Sequence, residues 1–201
     1  MQKTPVDEMN WIAQAKEGDQ RAFECLVDAY QRPVFNLCFR LLGHIQQAED
    51  AAQEVFYKTF LYLDRFDLDR SFVNWILSIA SYHCIDQLRR RDLATIPWSD
   101  LSEKVGKTGH SPEDEIVQRE LVKHCQSMLN QLDPIDRAAI VLFYWYACSQ
   151  AEIAEALELS ISAVKSRLLR SRRRLAAFLT SQSIDQPLNE ALEFNMEYST
   201  M

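Results

Sequence analysis

The sequence predicts an all-α protein in which two small helical domains are joined by a flexible linker. Apolar residues recur at the three- and four-residue spacing of amphipathic helices, and no run alternates apolar and polar residues for long, as a half-buried strand would. The chain has only four glycines. Residues 92–111 lose the helical periodicity, and a stretch of about 20 residues is too long for a structureless loop inside one compact domain.

These observations divide the chain into four segments. We expect a first helical domain at residues 1–92, a linker at 93–111, a second helical domain at 112–180 and an acidic tail at 181–201. A chain of this length can bury two cores of under about 100 residues each. From residue 182 onward the tail has four acidic residues and no basic one, so we expect it to be partly disordered.

The first domain contains four predicted helices. The first begins at the N-terminal Thr-Pro pair, which supplies a capping residue and a proline at the first helical position. The second begins at Asp19 and ends at Gly43, a residue suited to the left-handed position after a helix, and Pro33 inside it should kink or split it. The third and fourth helices cover about residues 46–63 and 72–91.

The second domain also contains four predicted helices. The first two each follow a capping residue that precedes a proline, at residues 111–112 and 133–134. The third begins after Ser149, whose spacing to Glu152 is that of a capping box. Ser160 is the expected cap of the fourth helix, so that only a short turn separates the last two helices.

The distribution of charge points to a polyanionic partner. The whole chain has 29 acidic and 22 basic residues, and its net charge of −7 argues against a non-specific, histone-like DNA-binding protein. Residues 160–180 nevertheless contain six basic residues and no acidic one. A solvated helix end whose cations complement the helix dipole is the alternative, but it leaves the capped helix before it unexplained. We therefore expect this segment to bind DNA phosphates.

The last two helices form a predicted helix-turn-helix. Apolar residues suit the inner face of both helices, and Ala154 suits the point where they cross. In such motifs the N-terminal part of the second helix meets base edges, while flanking basic residues hold phosphates. We assign base reading to Ser162, Lys165 and Ser166. Phosphate contacts are assigned to five arginines: Arg167, Arg170, Arg172, Arg173 and Arg174.

Motifs in both halves resemble the extracytoplasmic-function (ECF) group of bacterial RNA polymerase sigma factors, within the sigma-70 family. The C-terminal motif SQAEIAEALELSISAVKSRLLRSRRRL resembles region 4, which reads the −35 promoter element. Two motifs of the first domain resemble parts of region 2. The part that docks on the polymerase clamp helices is resembled by AEDAAQEVFYKTF, and the part that melts the −10 element by FVNWILSIASYHCIDQLRRR. The resemblance covers about residues 8–180 and implies a transcription initiation factor that performs no covalent chemistry.

The resemblance assigns roles to residues of the first domain. Four of them match polymerase-docking positions: Asp50, Gln53, Glu54 and Phe56. The alternative for these four is a solvated helix face beside a core phenylalanine. Eight match positions that bind the −10 element: Asp67, Leu68, Asp69, Arg70, Asn74, Arg89, Arg90 and Arg91. The loop at residues 67–70 matches the loop that captures a flipped base, where stacking contributes about 1–3 kcal/mol per base. The three arginines either grip phosphates or only complement a helix dipole.

Other residues have a simpler interpretation or depart from the family's pattern. Phe72 and Trp75 are expected in the core rather than as wedges between bases. Glu158 stands where the turn between the paired helices usually has glycine, and a left-handed residue there costs on the order of 1 kcal/mol, so we expect the turn to be slightly altered. The five cysteines have no metal-ligand spacing, and we expect them to be buried and reduced.

The resemblance also implies partners and a compartment. Core RNA polymerase, promoter DNA and an anti-sigma factor are the expected partners, and no metal, cofactor or small-molecule substrate is expected. No apolar run approaches the roughly 20 residues that span a bilayer, and the N-terminus does not resemble a signal peptide. We therefore expect a cytoplasmic protein without membrane insertion.

Two other functions would fit parts of the sequence. A free-standing transcription regulator would use only the C-terminal motif, and the linker and the docking motif argue against it. A helical di-iron enzyme would need paired Glu-x-x-His motifs, which the sequence lacks.

Overall fold

The computed structural model describes residues 5–94 and 112–182. The part of the chain that it describes contains eight α-helices, one short 3-10 turn and no strand, which confirms the all-α prediction. The chain divides into two compact units, Met1–Leu101 and Ser102–Met201. Most of the predicted linker, from residue 95, and nearly all of the predicted tail, from residue 183, lie outside the described residues.

The first unit is a bundle around one central helix. Its elements are α1 (Pro5–Lys16), α2 (Gln20–Leu42), α3 (Ile45–Tyr62), a 3-10 turn (Leu63–Arg65) and α4 (Phe72–Ala94). Helix α2 packs against α1, α3 and α4, and α3 also packs against α4. The core between them is apolar and fully buried, as the central side chains Leu37, Leu41, Val55 and Ile76 illustrate.

Local sequence signals set both ends of α2. The Asp19 carboxylate accepts hydrogen bonds from the backbone N–H groups of Arg21 and Ala22, at 2.8 and 3.4 Å. At the other end, Gly43 has a φ of 76°, a left-handed conformation that glycine adopts without steric cost. Both predicted boundaries of this helix are confirmed.

Helix α2 continues through Pro33, so of the two effects predicted for this proline, a kink or a split, the split is wrong. A proline inside a helix costs about 3 kcal/mol. Apolar residues on both sides of it, including Leu26, Val34 and Leu37, are completely or almost completely buried. Because burial of each such side chain contributes about 1.5–3 kcal/mol, packing of the central helix outweighs the cost of the proline.

The second unit contains the remaining four helices, α5 (Pro112–Leu129), α6 (Pro134–Trp145), α7 (Gln150–Ala156) and α8 (Ile161–Gln182). Helices α6, α7 and α8 pack against one another in pairs. The most deeply buried side chains of this core come from all three helices and include Val141, Ile153 and Val164, each with no exposed surface.

A short turn joins α7 to α8. The predicted capping box of α7 is present, with Ser149 Oγ accepting from the Glu152 N–H and the Ser149 N–H donating to Glu152 Oε2. After α7, the Leu159 N–H donates to the Ala154 carbonyl at 2.8 Å, the six-to-one bond of a Schellman motif. Glu158 occupies the left-handed position of that motif with a φ of 51°, so the turn keeps its usual geometry and the expected alteration does not occur.

The cysteines are free thiols in different environments. Cys38, Cys84 and Cys148 are buried, as predicted, whereas Cys25 and Cys125 are only half-buried. Burial raises the pKa of the Cys148 thiol to about 11, with a smaller contribution from the charge of Glu152.

Candidate nucleic-acid and polymerase interfaces

Helix α8 has one buried and one exposed face. Val164, Leu168 and Ser171 are buried at spacings of four and three residues, which is the helical repeat. The residues assigned to base reading, Ser162, Lys165 and Ser166, all lie on the exposed face. Four of the five assigned arginines are also exposed: Arg170, Arg172, Arg173 and Arg174. The packing of α8 on α6 and α7 therefore leaves a cationic face open to solvent.

Two arginines of α8 contact α6 of the same unit. Arg167 Nη1 lies 2.5 Å from Asp136 Oδ1, and the two side chains are only 26% and 14% exposed. The guanidinium carbon of Arg172 lies 5.2 Å from the ring centre of Phe143 and 5.7 Å from that of Tyr144, within the range of cation–π attraction. These contacts orient both guanidinium groups toward α6.

The start of α8 is ordered by serine hydroxyls. Ser160 Oγ accepts from the Ala163 N–H at 3.2 Å, which is the predicted cap. Ser162 Oγ lies 3.0 Å from Ser160 Oγ, and Ser166 Oγ donates to the Ser162 carbonyl at 2.9 Å. The two serines assigned to base reading thus have a defined orientation, and each hydroxyl oxygen retains acceptor capacity.

Sequence reasoning missed one residue of the exposed face of α8. Leu169 is 49% exposed and follows Lys165 by four residues, which places the two side chains on the same stripe of the helix. A large apolar residue among cations can contact the thymine methyl group in a major groove. Its position out of step with the buried Leu168 and the half-buried Leu175 is the signal that would have identified it.

The loop at residues 67–70 is a tight hydrogen-bonded turn. The Arg70 N–H donates to the Asp67 carbonyl at 3.1 Å, and the Asp69 N–H donates to Asp67 Oδ1 at 3.1 Å. All four side chains are exposed, including Leu68. Asp67 therefore shapes the turn, while the other three side chains project from it.

Aromatic residues lie at both ends of this loop. Phe66 and Phe72 are buried, and their ring centres are 5.3 Å apart in an edge-to-face arrangement. Trp75 is half-buried and lies 4.9 Å from Phe66 and 5.7 Å from Phe72. The placement of Phe72 and Trp75 within this cluster agrees with the expectation that they belong to the core.

The other residues assigned to the −10 element lie on α4. Asn74 is half-buried in its first turn, where its N–H donates to Ser71 Oγ at 3.4 Å. Arg89 and Arg90 are exposed near its end, and Arg90 forms an ion pair with Asp86 at 2.8 Å. Arg91 is half-buried and donates a hydrogen bond to Gln47 Oε1 of α3, and burial lowers its pKa.

The assigned docking residues lie together on α3. Asp50, Gln53 and Glu54 are exposed, and Phe56 is half-buried. The Asp50 carboxylate accepts from Gln46 at 3.3 Å, and Glu54 lies 3.8 Å from Lys58. Such exposed contacts within one helix contribute little to stability and are easily exchanged for contacts with a partner.

An open groove between α2 and α3 was not predicted from the sequence. Four aromatic residues line it: Phe23 and Phe60, whose ring centres are 5.1 Å apart, together with Phe56 and Tyr57. Tyr57 is 58% exposed and Phe60 is 48% exposed, which is unusual for aromatic residues of a small domain. Their spacing from Gln53, by four and seven residues, extends the docking face along α3.

Both units match sigma factor regions. Residues 26–93 match Sigma-70 region 2, and residues 126–175 match Sigma-70, region 4. The chain is 35% identical over 172 residues to the ECF RNA polymerase sigma factor SigW of Bacillus subtilis (strain 168), a match that covers 82% of this chain and 92% of SigW. The chain belongs to the ECF sigma factors.

Other relatives agree with this assignment. This sigma factor is 32% identical over 179 residues to the RNA polymerase sigma factor CnrH of Cupriavidus metallidurans, a match that covers 85% of this chain and 93% of CnrH. A solved structure of CnrH in complex with the cytosolic domain of CnrY superimposes with a TM-score of 0.67, at 29% identity and with 88% of this chain and 99% of that chain covered.

Family membership gives the role of the protein. As a sigma factor it is a transcription initiation factor that binds core RNA polymerase and promoter DNA and directs the enzyme to specific promoters. Among the residues that the structure describes, no helix is both long enough and apolar enough to cross a membrane.

Proposed function

We propose that the exposed cationic face of α8 binds the −35 element and that the net charge of −7 on the whole chain prevents DNA binding in other orientations. The observation that carries this proposal is the exposure of Lys165, Arg170 and Arg173 on a helix whose opposite face is buried against α6 and α7. Phosphates held by the arginines would fix the register in which Ser162, Lys165 and Ser166 reach base edges.

In this proposal, two of the assigned arginines mainly contact α6. Arg167 braces α8 against α6 through Asp136 and makes no phosphate contact. Arg172, which lies over Phe143 and Tyr144, holds its guanidinium at the edge of the cationic face. The remaining arginines of α8 then supply the phosphate contacts.

In the first unit, we propose that the exposed turn at residues 67–70 captures a base of the −10 element. Leu68 and Arg70 project from a turn that is already folded, so little conformational entropy is lost when a base binds. Asn74, Arg89 and Arg90 extend this surface along α4, while Arg91 stabilises the packing of α4 on α3. The aromatic cluster behind the turn supports it and does not itself stack on bases.

The docking face of α3, from Asp50 to Phe60, is the proposed polymerase contact. It combines exposed aromatic residues, which are typical of the buried centre of protein interfaces, with exposed acids, which are typical of their polar rim. CnrH has been solved with CnrY, and we propose that an anti-sigma factor of this chain covers the same face and so competes with polymerase.

These assignments need no covalent chemistry, and we propose that the protein is not an enzyme and acts in the cytoplasm, where polymerase and DNA are found. Run-off transcription tests the whole proposal: core polymerase, the purified full-length chain and a library of genomic fragments are combined. Discrete transcripts that require the added chain are expected. A chain that neither joins core polymerase nor yields a start site would refute the proposal, and DNA binding without polymerase association would instead favour a free-standing regulator.

A further inference from the structure

A contact with the N-terminal helix lies directly before the turn at residues 67–70. Lys16 Nζ, at the end of α1, donates a hydrogen bond to the backbone carbonyl oxygen of Phe66 at 2.8 Å. Fifty positions separate the two residues in the chain. Both groups are partly buried, and a hydrogen bond from a charged donor is about twice as strong as a neutral one.

Phe66 is the point from which the turn leaves the helical bundle. It follows the 3-10 turn, its N–H donates to the Leu63 carbonyl at 3.0 Å, and its backbone is extended, with φ −68° and ψ 128°. A carbonyl at the end of a helical turn has no partner within that turn, so Lys16 satisfies a group that would otherwise need water. The direction in which the chain enters Asp67 is therefore fixed by a side chain of α1.

The ring of Phe66 fixes the same residue from the other side. It contacts Phe72 at 5.3 Å and Trp75 at 4.9 Å between ring centres, and Tyr30 of α2 contacts Phe72 at 5.2 Å. The Phe66–Phe72 pair is edge-to-face, and such pairs stabilise by about 0.5–1.5 kcal/mol beyond burial. Phe66 and Phe72 thus hold the two ends of the turn together, and Lys16 sets its orientation relative to the bundle.

We infer that Lys16 is a positioning residue for recognition of the −10 element, because it holds the Phe66 carbonyl and so keeps the turn at residues 67–70 in a base-accepting geometry. Lys16 does not contact DNA in this inference. It rests on the proposed base capture by that turn. A turn that is preorganised binds a base without the entropy cost of ordering four exposed residues.

The test measures base capture rather than overall binding. Holoenzyme is assembled from core polymerase and the full chain, and it binds a promoter fragment found by run-off transcription, in which single bases of the non-template −10 strand are replaced by abasic sites. The wild type is expected to lose affinity at the captured base by about tenfold, the size of one stacking contact. Lys16→Met should reduce this loss to about twofold or less, because its turn no longer holds the base well.

Three controls separate positioning from simple stability. Lys16→Arg retains a charged donor and should restore the sensitivity to the abasic site. Lys123→Met removes an exposed lysine of the second unit, paired with Glu120 three residues away, and should behave as the wild type. Association of each variant with core polymerase should be unchanged, and its affinity is normalised to its own binding of intact DNA, so a small loss of stability does not alter the comparison.

The outcomes are distinct. If the wild type is sensitive to an abasic site and Lys16→Met is equally sensitive, the positioning role of Lys16 is wrong while base capture stands. If the wild type is insensitive at every −10 position, base capture itself is wrong, and the inference about Lys16 is wrong with it. If Lys16→Arg fails to restore a sensitivity that Lys16→Met has lost, the charged donor is not what positions the turn.

Discussion

Arg167 of α8 forms an ion pair with Asp136 of α6, with 2.5 Å between Nη1 and Oδ1, and this contact distinguishes it from the other arginines of the same helix. The other face of α8, which is open to solvent, carries the exposed residues Arg170, Arg173 and Arg174. The same residue type therefore serves two purposes within eight positions, and the two purposes can be separated by experiment.

Replacement of Arg167 should affect stability more than DNA binding. Arg167→Gln is expected to lower the free energy of unfolding of the full chain by about 1 kcal/mol, since a partly buried, hydrogen-bonded charge pair is lost. Urea unfolding followed by circular dichroism measures this value, and a double-mutant cycle with Asp136→Asn isolates the coupling between the two side chains. Additive effects of the two replacements would show that the ion pair contributes nothing.

Replacement of Lys165 and Arg170 should weaken DNA binding more than it lowers stability. Arg170→Ala is expected to reduce the steepness of the plot of log DNA affinity against log salt concentration by about 1. Lys165→Ala is expected to weaken DNA binding by about 1–3 kcal/mol and to relax specificity at one base pair. Holoenzyme titrated with −35 duplex DNA at several salt concentrations measures both effects, with Arg167→Gln as the matched control. Full transcription from a cognate promoter by the double variant would contradict the assignment.

Glycine at position 158 should stabilise the second unit. Glu158 has a φ of 51°, a left-handed conformation that costs residues with a Cβ about 1–2 kcal/mol, so Glu158→Gly is expected to raise the free energy of unfolding by up to about 1 kcal/mol. Ala177→Gly, on the exposed side of α8, should instead lower it by about 1 kcal/mol. Thermal unfolding compares the two, and equal destabilisation by both would mean that the left-handed turn is not strained.

The first unit should lose stability as the pH falls toward 5. Burial lowers the pKa of His83, and Lys58, whose Nζ lies 3.1 Å from His83 Nδ1, lowers it further. The unfolded chain therefore binds a proton at a higher pH than the folded one, so this contribution is complete above the unfolded pKa near 6.5 and is lost below it. The melting temperature of wild type and His83→Gln at pH 7.5 and 5.5 tests this, and the variant should show the smaller decline.

Thiol reactivity should divide the cysteines into two groups. Cys148 is buried and its pKa is raised to about 11, and the pKa of Cys84 is raised by its hydrogen bond with Cys38 and by burial. Alkylation at pH 8 should be at least about tenfold slower at Cys84 and Cys148 than at half-buried Cys25, because only the thiolate reacts. Mass spectrometry of the native protein identifies the modified sites, and rapid labelling of Cys148 would contradict its burial.

Much of the fold follows from residues that lie close together in the chain. Helix α2 begins after Asp19 and stops before Gly43, and α7 begins at the capping box of Ser149 and Glu152. These signals are local because capping bonds join groups within three or four positions. The spacing of apolar residues likewise identifies the buried stripe of α8, which includes Val164 and Leu168. The motifs of both sigma regions are also contiguous segments, and so the sequence alone determined the fold class, the family and the cationic helix.

Tertiary structure decided which side chains meet across elements. Helical spacing places Arg167 near Arg170 on α8, but only the packing of α6 shows that Arg167 contacts Asp136. The α2–α3 groove and the bond from Lys16 to Phe66 likewise join residues more than 30 positions apart. Pro33 is the clearest case: its local preference opposes a continuous helix, and burial of the surrounding side chains in the core overcomes it, since packing energy depends on neighbours that the local sequence does not specify.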